Sequence, residues 1–189
     1  DSGSVHVSGG LVRFVSPSSV DTVARLPWFT NLFVVFREWN TASLPFESLV
    51  RKTGGEAEFA EAWLACRPAT AATFRVRFSR AGEFTAVDKK ATADAEALVR
   101  ARTGLRVDRE NPDIEFWYIV RTEGWSALAA RIPSRGMGPE ERPGELKREV
   151  ASLLAAVSGA GEGVQCVLDP FAGYGSIPQA LRAAFPGAR

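Results

Sequence analysis

A short glycine-containing stretch near the C-terminal end of the chain has residue types that could hold a small polar ligand. It reads VQCVLDPFAGYGSIP. The apolar run Val164 to Leu168 predicts a buried strand, and Gly173 and Gly175 permit a sharp turn after it. Pro178 is typical of the first turn of a helix. The stretch therefore predicts a strand, a glycine loop and a helix in that order.

A loop of this kind favours one class of ligand over others. It brings backbone N–H groups and the positive end of a helix close to a ligand, and Asp169 at the strand tip is placed to hold polar ligand atoms. Only two glycines are present and no GK[ST] sequence follows, so the full dinucleotide fingerprint and the phosphate-binding P-loop are both absent. An adenosyl group without phosphates suits the loop better.

Two segments resemble a known family. Asp169 to Ser176, DPFAGYGS, resembles the first S-adenosylmethionine-binding motif of Rossmann-fold RNA methyltransferases, and Arg142 to Ala151, RPGELKREVA, is similar to the helix before that motif in the THUMP-containing branch. Tyr174 stands where the family usually has a small serine, so it could crowd the adenosine or stack on it. The resemblance implies that S-adenosylmethionine is held by Asp169, Phe171, Gly173, Tyr174 and Gly175.

Composition and cysteine usage indicate an ordinary globular protein. The chain has 189 residues, of which 46% are hydrophobic and 24% are charged. It has no apolar run of roughly 20 residues, and its first residues do not form a signal peptide. Cys66 and Cys166 both lie in apolar segments, which predicts reduced core cysteines rather than a disulfide or a metal site. We therefore expect a soluble cytoplasmic protein without a metal.

The first 70 residues predict a small domain of alternating strands and helices. Gly9 and Gly10 separate two β-branched runs and predict a hairpin. The order of the elements after it is typical of a ferredoxin-like domain that is incomplete at its start. The predicted elements are a hairpin over 5–15, a short helix capped by Ser18 or Ser19, a strand over 31–39, and helices over 45–52 and 56–66.

Residues 71–132 form the clearest internal unit. Phe74, Val76 and Phe78 alternate with arginines, which predicts a strand with one apolar and one basic face. We assign Arg75, Arg77 and Arg80 to the basic face. A helix capped by Asp88 and ended by Gly104 follows, and then come strands over 114–120 and 127–132.

This unit resembles a THUMP domain, an RNA-binding module. The likeness rests on FRVRF from Phe74, on GLRVD from Gly104 and above all on NPDIEFW from Asn111. It implies that the unit, together with the preceding domain, binds RNA, most plausibly tRNA. The side chains that we expect to contact RNA phosphates are Arg75, Arg77, Lys89, Lys90, Arg106 and Arg109.

Charge alone does not decide between an RNA-binding surface and a solvated one. The formal net charge of the chain is +1, and residues 71–132 carry 11 basic and 9 acidic side chains. Only a local patch could therefore attract RNA, and the same cations could instead be an ordinary polar face. Phe116, Trp117 and Tyr118 could stack on bases, but alternate residues of a strand must pack against a neighbouring layer, which favours a buried strand.

The predicted architecture is α+β. It consists of a ferredoxin-like domain over 1–70, a THUMP domain over 71–132, a linker over 133–143 and the beginning of a Rossmann-like methyltransferase domain over 144–189. The family's Asn/Asp-Pro-Pro-Phe/Tyr catalytic motif is absent from the sequence, so no catalytic residue can be nominated, and we expect the chain alone to be inactive.

The predicted function is methyl transfer from S-adenosylmethionine to RNA, at the exocyclic amine of a guanosine. The alternative is a non-catalytic THUMP adaptor that binds RNA and keeps a remnant of the methyltransferase fold. A thiouridine synthase is a third possibility, but the sequence shows neither its pyrophosphatase-type loop nor its reactive cysteine.

Overall fold

The computed structural model describes residues 5–41, 44–53, 56–132, 142–160 and 166–185. The chain divides into two compact units. The first comprises residues 1–23 and 31–133, and the second comprises residues 24–30 and 134–189. In the described part of the chain, no helix combines the length and apolar character needed to cross a bilayer.

The elements follow the predicted order closely. The strands are β1 (Val5–Ser8), β2 (Leu11–Phe14), β3 (Leu32–Trp39), β4 (Thr73–Arg80), β5 (Glu83–Phe84), β6 (Arg106–Val107), β7 (Ile114–Val120) and β8 (Ser126–Ile132). The helices are α1 (Val20–Ala24), α2 (Phe46–Lys52), α3 (Glu56–Cys66), α4 (Lys89–Thr103), α5 (Arg148–Val157) and α6 (Ser176–Ala184). The sequence did not predict the two-residue strands β5 and β6.

The first turn confirms the predicted hairpin. Strands β1 and β2 pair in antiparallel fashion, with Ser8 opposite Leu11. Gly9 and Gly10 both have positive φ angles, 53° and 77°. A two-residue hairpin turn needs that conformation, which glycine adopts without a Cβ penalty.

A six-stranded mixed sheet forms the centre of the first unit. Its strand order is β3-β8-β7-β4-β5, and β6 also pairs with β4. Strand β4 runs parallel to β7 and β6, whereas β3 pairs with β8 in antiparallel fashion. Strand β3 belongs to the predicted 1–70 domain and β8 to the predicted 71–132 domain. The sheet therefore spans both predicted segments and lies in one compact unit.

One face of the sheet is covered by helices and holds the aromatic core. The ring of Phe116 lies 5.7 Å from those of Phe36, Trp63 and Phe74, measured between centroids. Phe116 and Tyr118 are fully buried. The prediction that β7 is a buried strand rather than a base-stacking platform is confirmed for these two residues. Trp117 points to the opposite face, because successive side chains of a strand alternate.

Helix α4 has the ends that the sequence predicts. The side chain of Asp88 accepts a hydrogen bond from the backbone N–H of Lys90 at 2.9 Å, and Gly104 ends the helix with a φ of 72°. Ala95 and Val99 are fully buried on its inner face. Capping and the small inner residues thus place α4 against the sheet.

The second unit contains α5, α6 and the glycine stretch. Helices α5 and α6 pack together, with Ala151, Ala155 and Leu181 buried. The rest of the apolar surface of α5 is open to solvent. Its exposed residues are Val150, Leu153, Leu154 and Val157.

The described part of the predicted strand from Val164 to Leu168 does not form a strand. Val164 and Gln165 lie outside the described residues, and 166–168 have no strand assignment. Leu168 is 85% exposed. A strand needs a hydrogen-bonded neighbour, and none of the described residues supplies one here.

The two cysteines differ from each other, which corrects one expectation. Cys66 is buried, as predicted, and burial raises the pKa of its thiol to about 12. Cys166 is exposed, because the segment that contains it does not enter a sheet.

Candidate functional site

The glycine loop has a defined backbone conformation that leads into α6. The carboxylate of Asp169 accepts a hydrogen bond from the backbone N–H of Phe171 at 2.9 Å. Gly173 and Gly175 have φ angles of 52° and 80°. A Cβ on Gly175 would meet only the Gln179 amide nitrogen, at 3.6 Å. Backbone conformation rather than lack of space therefore requires glycine here.

Helix α6 begins with backbone donors that have no side-chain cap. Its N-cap is Gly175, which makes no side-chain hydrogen bond, and Pro178 stands in the first turn, as predicted. The first N–H groups of a helix have no acceptor within the helix and carry a partial positive charge. The hydroxyl of Ser176 is buried and has no hydrogen-bond partner among the described residues. These donors fit a small polar ligand.

The two aromatic side chains of the loop are open to solvent. Phe171 is 91% exposed and Tyr174 is 50% exposed. The guanidinium of Arg142 lies 5.8 Å from the centre of the Tyr174 ring, within the range of a cation–π contact. Sequence reasoning did not identify Arg142 or Ser176 as part of this site. The structure brings the five predicted loop residues together in one short turn.

The six predicted RNA-contacting residues do not form a single patch. Arg75 and Arg77 lie on the sheet face opposite the helices. Lys89 and Lys90 begin α4, and Arg106 follows the end of this 15-residue helix. At about 1.5 Å per residue, the two ends of the helix are roughly 22 Å apart. Among the described residues, these two lysines and Arg106 form no ion pair.

Arg109 is held by an acidic residue of α4. Its guanidinium donates two hydrogen bonds of 2.8 Å to the carboxylate of Glu96. The hydrogen bonds to Glu96 raise the pKa of Arg109 above its ordinary value. Because Glu96 is buried, its ion pair with Arg109 anchors the loop after α4. Arg109 therefore has a structural role besides being a candidate RNA contact.

Arg80 lies on the helix side of the sheet, which corrects its assignment to the basic face. Successive side chains of a strand alternate between its two faces, so Arg80 shares the face of Phe74 and Phe78. The Arg80 guanidinium lies 5.0 Å from the centre of the Phe46 ring and donates a hydrogen bond to the carbonyl of Leu44.

A carboxylate that sequence reasoning missed organises the arginines of the open face. Glu115 on β7 accepts hydrogen bonds from Arg75 at 2.6 Å and from Arg131 at 3.2 Å, and Arg77 lies 3.5 Å away. Burial alone would raise the pKa of Glu115, but the hydrogen bonds from Arg75, Arg131 and Trp117 bring it below its ordinary value. The alternation of strand residues could have placed Arg131 on this face.

The turn Asn111-Pro112-Asp113 has a structural role. One carboxylate oxygen of Asp113 accepts three hydrogen bonds of 2.9 Å, from the backbone N–H groups of Ala72 and Thr73 and from the Thr73 hydroxyl. These bonds lower the pKa of Asp113. The motif thus joins the start of β7 to the start of its parallel neighbour β4.

Comparison with solved structures finds chains of the same fold. TrmN from Thermus thermophilus matches with a TM-score of 0.63 and 20% identity over 94% of this chain and 52% of that one. A predicted N6-adenine-specific DNA methylase from Listeria monocytogenes str. 4b F2365 matches with a TM-score of 0.55 and 17% identity, covering 98% of this chain and 49% of that one. The chain therefore spans about half the length of these proteins.

A third solved structure, SMU.472, is a candidate methyltransferase complexed with SAH. It matches with a TM-score of 0.51 and 16% identity over 98% of this chain and 49% of that one. At these identities the likeness shows the fold, which is a mixed α/β arrangement with a central mixed sheet. No family model matches the sequence, and no curated protein matches it.

Proposed function

We propose that this chain is part of a cytoplasmic S-adenosylmethionine-dependent RNA methyltransferase, in which the first unit includes a THUMP domain. The observation that carries the proposal is the loop from Asp169 to Gly175, whose two glycines have positive φ angles and which opens an uncapped helix. Two of the structural neighbours support the methyltransferase part of the proposal, since one is named as a predicted DNA methylase and another is a candidate methyltransferase complexed with SAH.

The residues of the loop suit the parts of S-adenosylmethionine. When bound, this cofactor supplies a methyl group on a positively charged sulfur. Asp169 would accept hydrogen bonds from the polar groups of the cofactor, and Gly173 and Gly175 would let the backbone approach it. Phe171 and Tyr174 would border the pocket, since both rings are now exposed. The Ser176 hydroxyl, which is buried with no partner in the part of the chain that the structure describes, would gain one.

The open apolar surface of the second unit agrees with this proposal. Four large apolar residues of α5 are exposed, and Leu168 before the loop is also exposed. In a Rossmann-like domain, helices and strands of this kind pack on neighbouring parallel strands. We propose that further strands of the same domain cover this surface and pair with the segment around Leu168.

The RNA part of the proposal rests on the first unit. Strands β4, β6 and β7 carry the motifs that resemble a THUMP domain. Lys89, Lys90 and Arg106 are unpaired cations within the described residues. We propose tRNA as the substrate and the exocyclic amine of a guanosine as the acceptor. The guanosine comes from the family resemblance alone.

A methyl-transfer assay tests this function. The longest polypeptide that the gene encodes is incubated with labelled S-adenosylmethionine and with tRNA or DNA, and the product is digested to nucleosides. We expect label in tRNA, on guanosine, and its loss in Asp169→Ala. Label in DNA would contradict RNA as the substrate, and label on adenosine would contradict guanosine as the acceptor. Binding of RNA without any methyl transfer would favour the non-catalytic adaptor.

A further inference from the structure

The sheet face opposite the helices carries a row of aromatic rings. The ring centroid of Trp117 lies 5.3 Å from that of Phe33 and 5.1 Å from that of Phe84. Ala129 stands opposite Trp117 in the register of β7 and β8, so a small side chain lies beside the indole. Phe84 is 62% exposed. The row crosses the sheet from β3 to β5. Phe84 presents its ring to solvent, whereas Phe33 and Trp117 are half-buried.

The register places arginines on the same face. Arg75 is opposite Glu115, and Glu115 is opposite Arg131, so all three share the side of Trp117. Arg77, next to Trp117, lies 4.8 Å from the centre of the Phe84 ring. The side chains of Arg75, Arg77 and Arg131 remain 24%, 34% and 40% exposed.

The charge of this face is not balanced. Three guanidinium groups surround one carboxylate, Glu115, which leaves two positive charges beside the aromatic row. A second carboxylate of this face, Glu38, is held by Arg13 at 3.1 Å and by the indole N–H of Trp125 at 2.9 Å. An aromatic row with one exposed ring, one half-buried indole and excess positive charge fits a partner that carries both flat bases and phosphates.

We propose that the open face of the sheet binds single-stranded RNA, with bases stacked on Trp117 and Phe84 and phosphates against Arg75, Arg77 and Arg131. This rests on the proposed function and adds to it which surface holds the RNA and in which form. A duplex keeps its bases paired and offers mainly its backbone, whereas unpaired bases can stack on aromatic side chains. The face is distinct from the two ends of α4, where Lys89, Lys90 and Arg106 lie.

Fluorescence anisotropy with a labelled, unstructured RNA oligonucleotide tests the proposal. Phe84→Leu keeps an apolar side chain without a ring, and Phe84→Tyr keeps the ring. We expect Phe84→Leu to raise the Kd about 5- to 100-fold and Phe84→Tyr to stay near the unsubstituted protein. Leu64→Ala is the matched control, since Leu64 is 72% exposed on α3, a helix of the covered face. All variants should show the circular dichroism of the folded protein.

Two further measurements identify the contacts. Arg77→Gln should reduce the slope of log K against log salt by about 0.7 for one lost phosphate contact. Trp117→Phe should keep most of the binding and remove most of the tryptophan quenching that RNA causes. The same oligonucleotide annealed to its complement should bind more weakly.

Several results would overturn the inference. Equal affinity of Phe84→Leu and the unsubstituted protein, together with loss of binding in a Lys89→Gln/Lys90→Gln variant, would place RNA on α4 and leave the proposed function standing. Equal competition by an oligoglutamate peptide would identify an acidic protein surface as the partner. If no RNA binds, this inference fails together with the RNA part of the proposed function, while binding of S-adenosylmethionine would still test the cofactor part.

Discussion

The two units of this chain cover their apolar residues to very different extents. In the first unit, Phe74, Phe116 and Tyr118 are fully buried between the sheet and its helices. In the second, Leu168 and Phe171 are exposed to solvent, and so are four large apolar residues of α5. A buried aromatic side chain contributes stability through packing. The exposed ones contribute little until something covers them, which points to binding or further assembly of the second unit.

The largest effect should come from the aromatic core of the first unit. Phe116→Ala removes a ring that contacts several others and should lower the free energy of unfolding by about 3–5 kcal/mol. Phe171→Ala is the control and should change it by less than about 0.5 kcal/mol, because that ring is exposed. Urea denaturation measures both. Similar losses for the two variants would contradict the contrast between the units.

The arginine cluster of the open sheet face should show the next largest effect. Glu115→Gln leaves three guanidinium groups close together without a carboxylate. We expect a loss of about 1–2 kcal/mol in unfolding free energy, since the arginines are partly exposed and solvent screens their repulsion. Glu110→Gln, at an exposed carboxylate that forms no ion pair among the described residues, should be close to neutral in the same denaturation experiment.

The glycine loop should respond to backbone strain. Gly175→Ala forces a residue with a Cβ into a φ of 80° and should cost about 1–2 kcal/mol in the stability of the second unit. Gly175→Asn should cost less, because asparagine tolerates this conformation better. Urea unfolding and S-adenosylmethionine titration of both variants check the order. An alanine variant that is as stable as the glycine protein would refute the described turn.

The smallest effect should be a pH dependence from Asp113. Its pKa is lowered in the folded protein, so its contribution to stability is present above the ordinary value of about 4 and is lost as the pH falls through the folded pKa. In Asp113→Asn this part of the acid dependence should disappear. Urea unfolding as a function of pH measures it. Asp94→Asn, at an exposed carboxylate of α4, is the control and should leave the dependence unchanged.

Most of the elements could be predicted from local sequence signals. The glycine pair of the hairpin, the cap at Asp88, the stop at Gly104 and the alternation in β4 each act within a few residues. The predicted strand around Leu168 is different, because a strand exists only with a neighbour, and periodicity cannot show whether that neighbour is present.

The candidate sites could be predicted only in part. The loop residues follow one another in sequence, so their grouping was visible. The arginine cluster depends on the register of β4, β7 and β8, which joins Arg75, Glu115 and Arg131 across 56 positions. Sequence reasoning also placed Arg80 on the basic face, although the period of two in a strand assigns it to the face of Phe78.

The central claim is that the loop from Asp169 to Gly175 binds S-adenosylmethionine. Calorimetric titration of S-adenosylmethionine and S-adenosylhomocysteine into the longest polypeptide that the gene encodes tests it most directly. We predict binding of both compounds with one site, and its loss in Asp169→Ala but not in Asp94→Ala. No binding by a folded protein, or equal binding by the Asp169→Ala variant, would contradict the account.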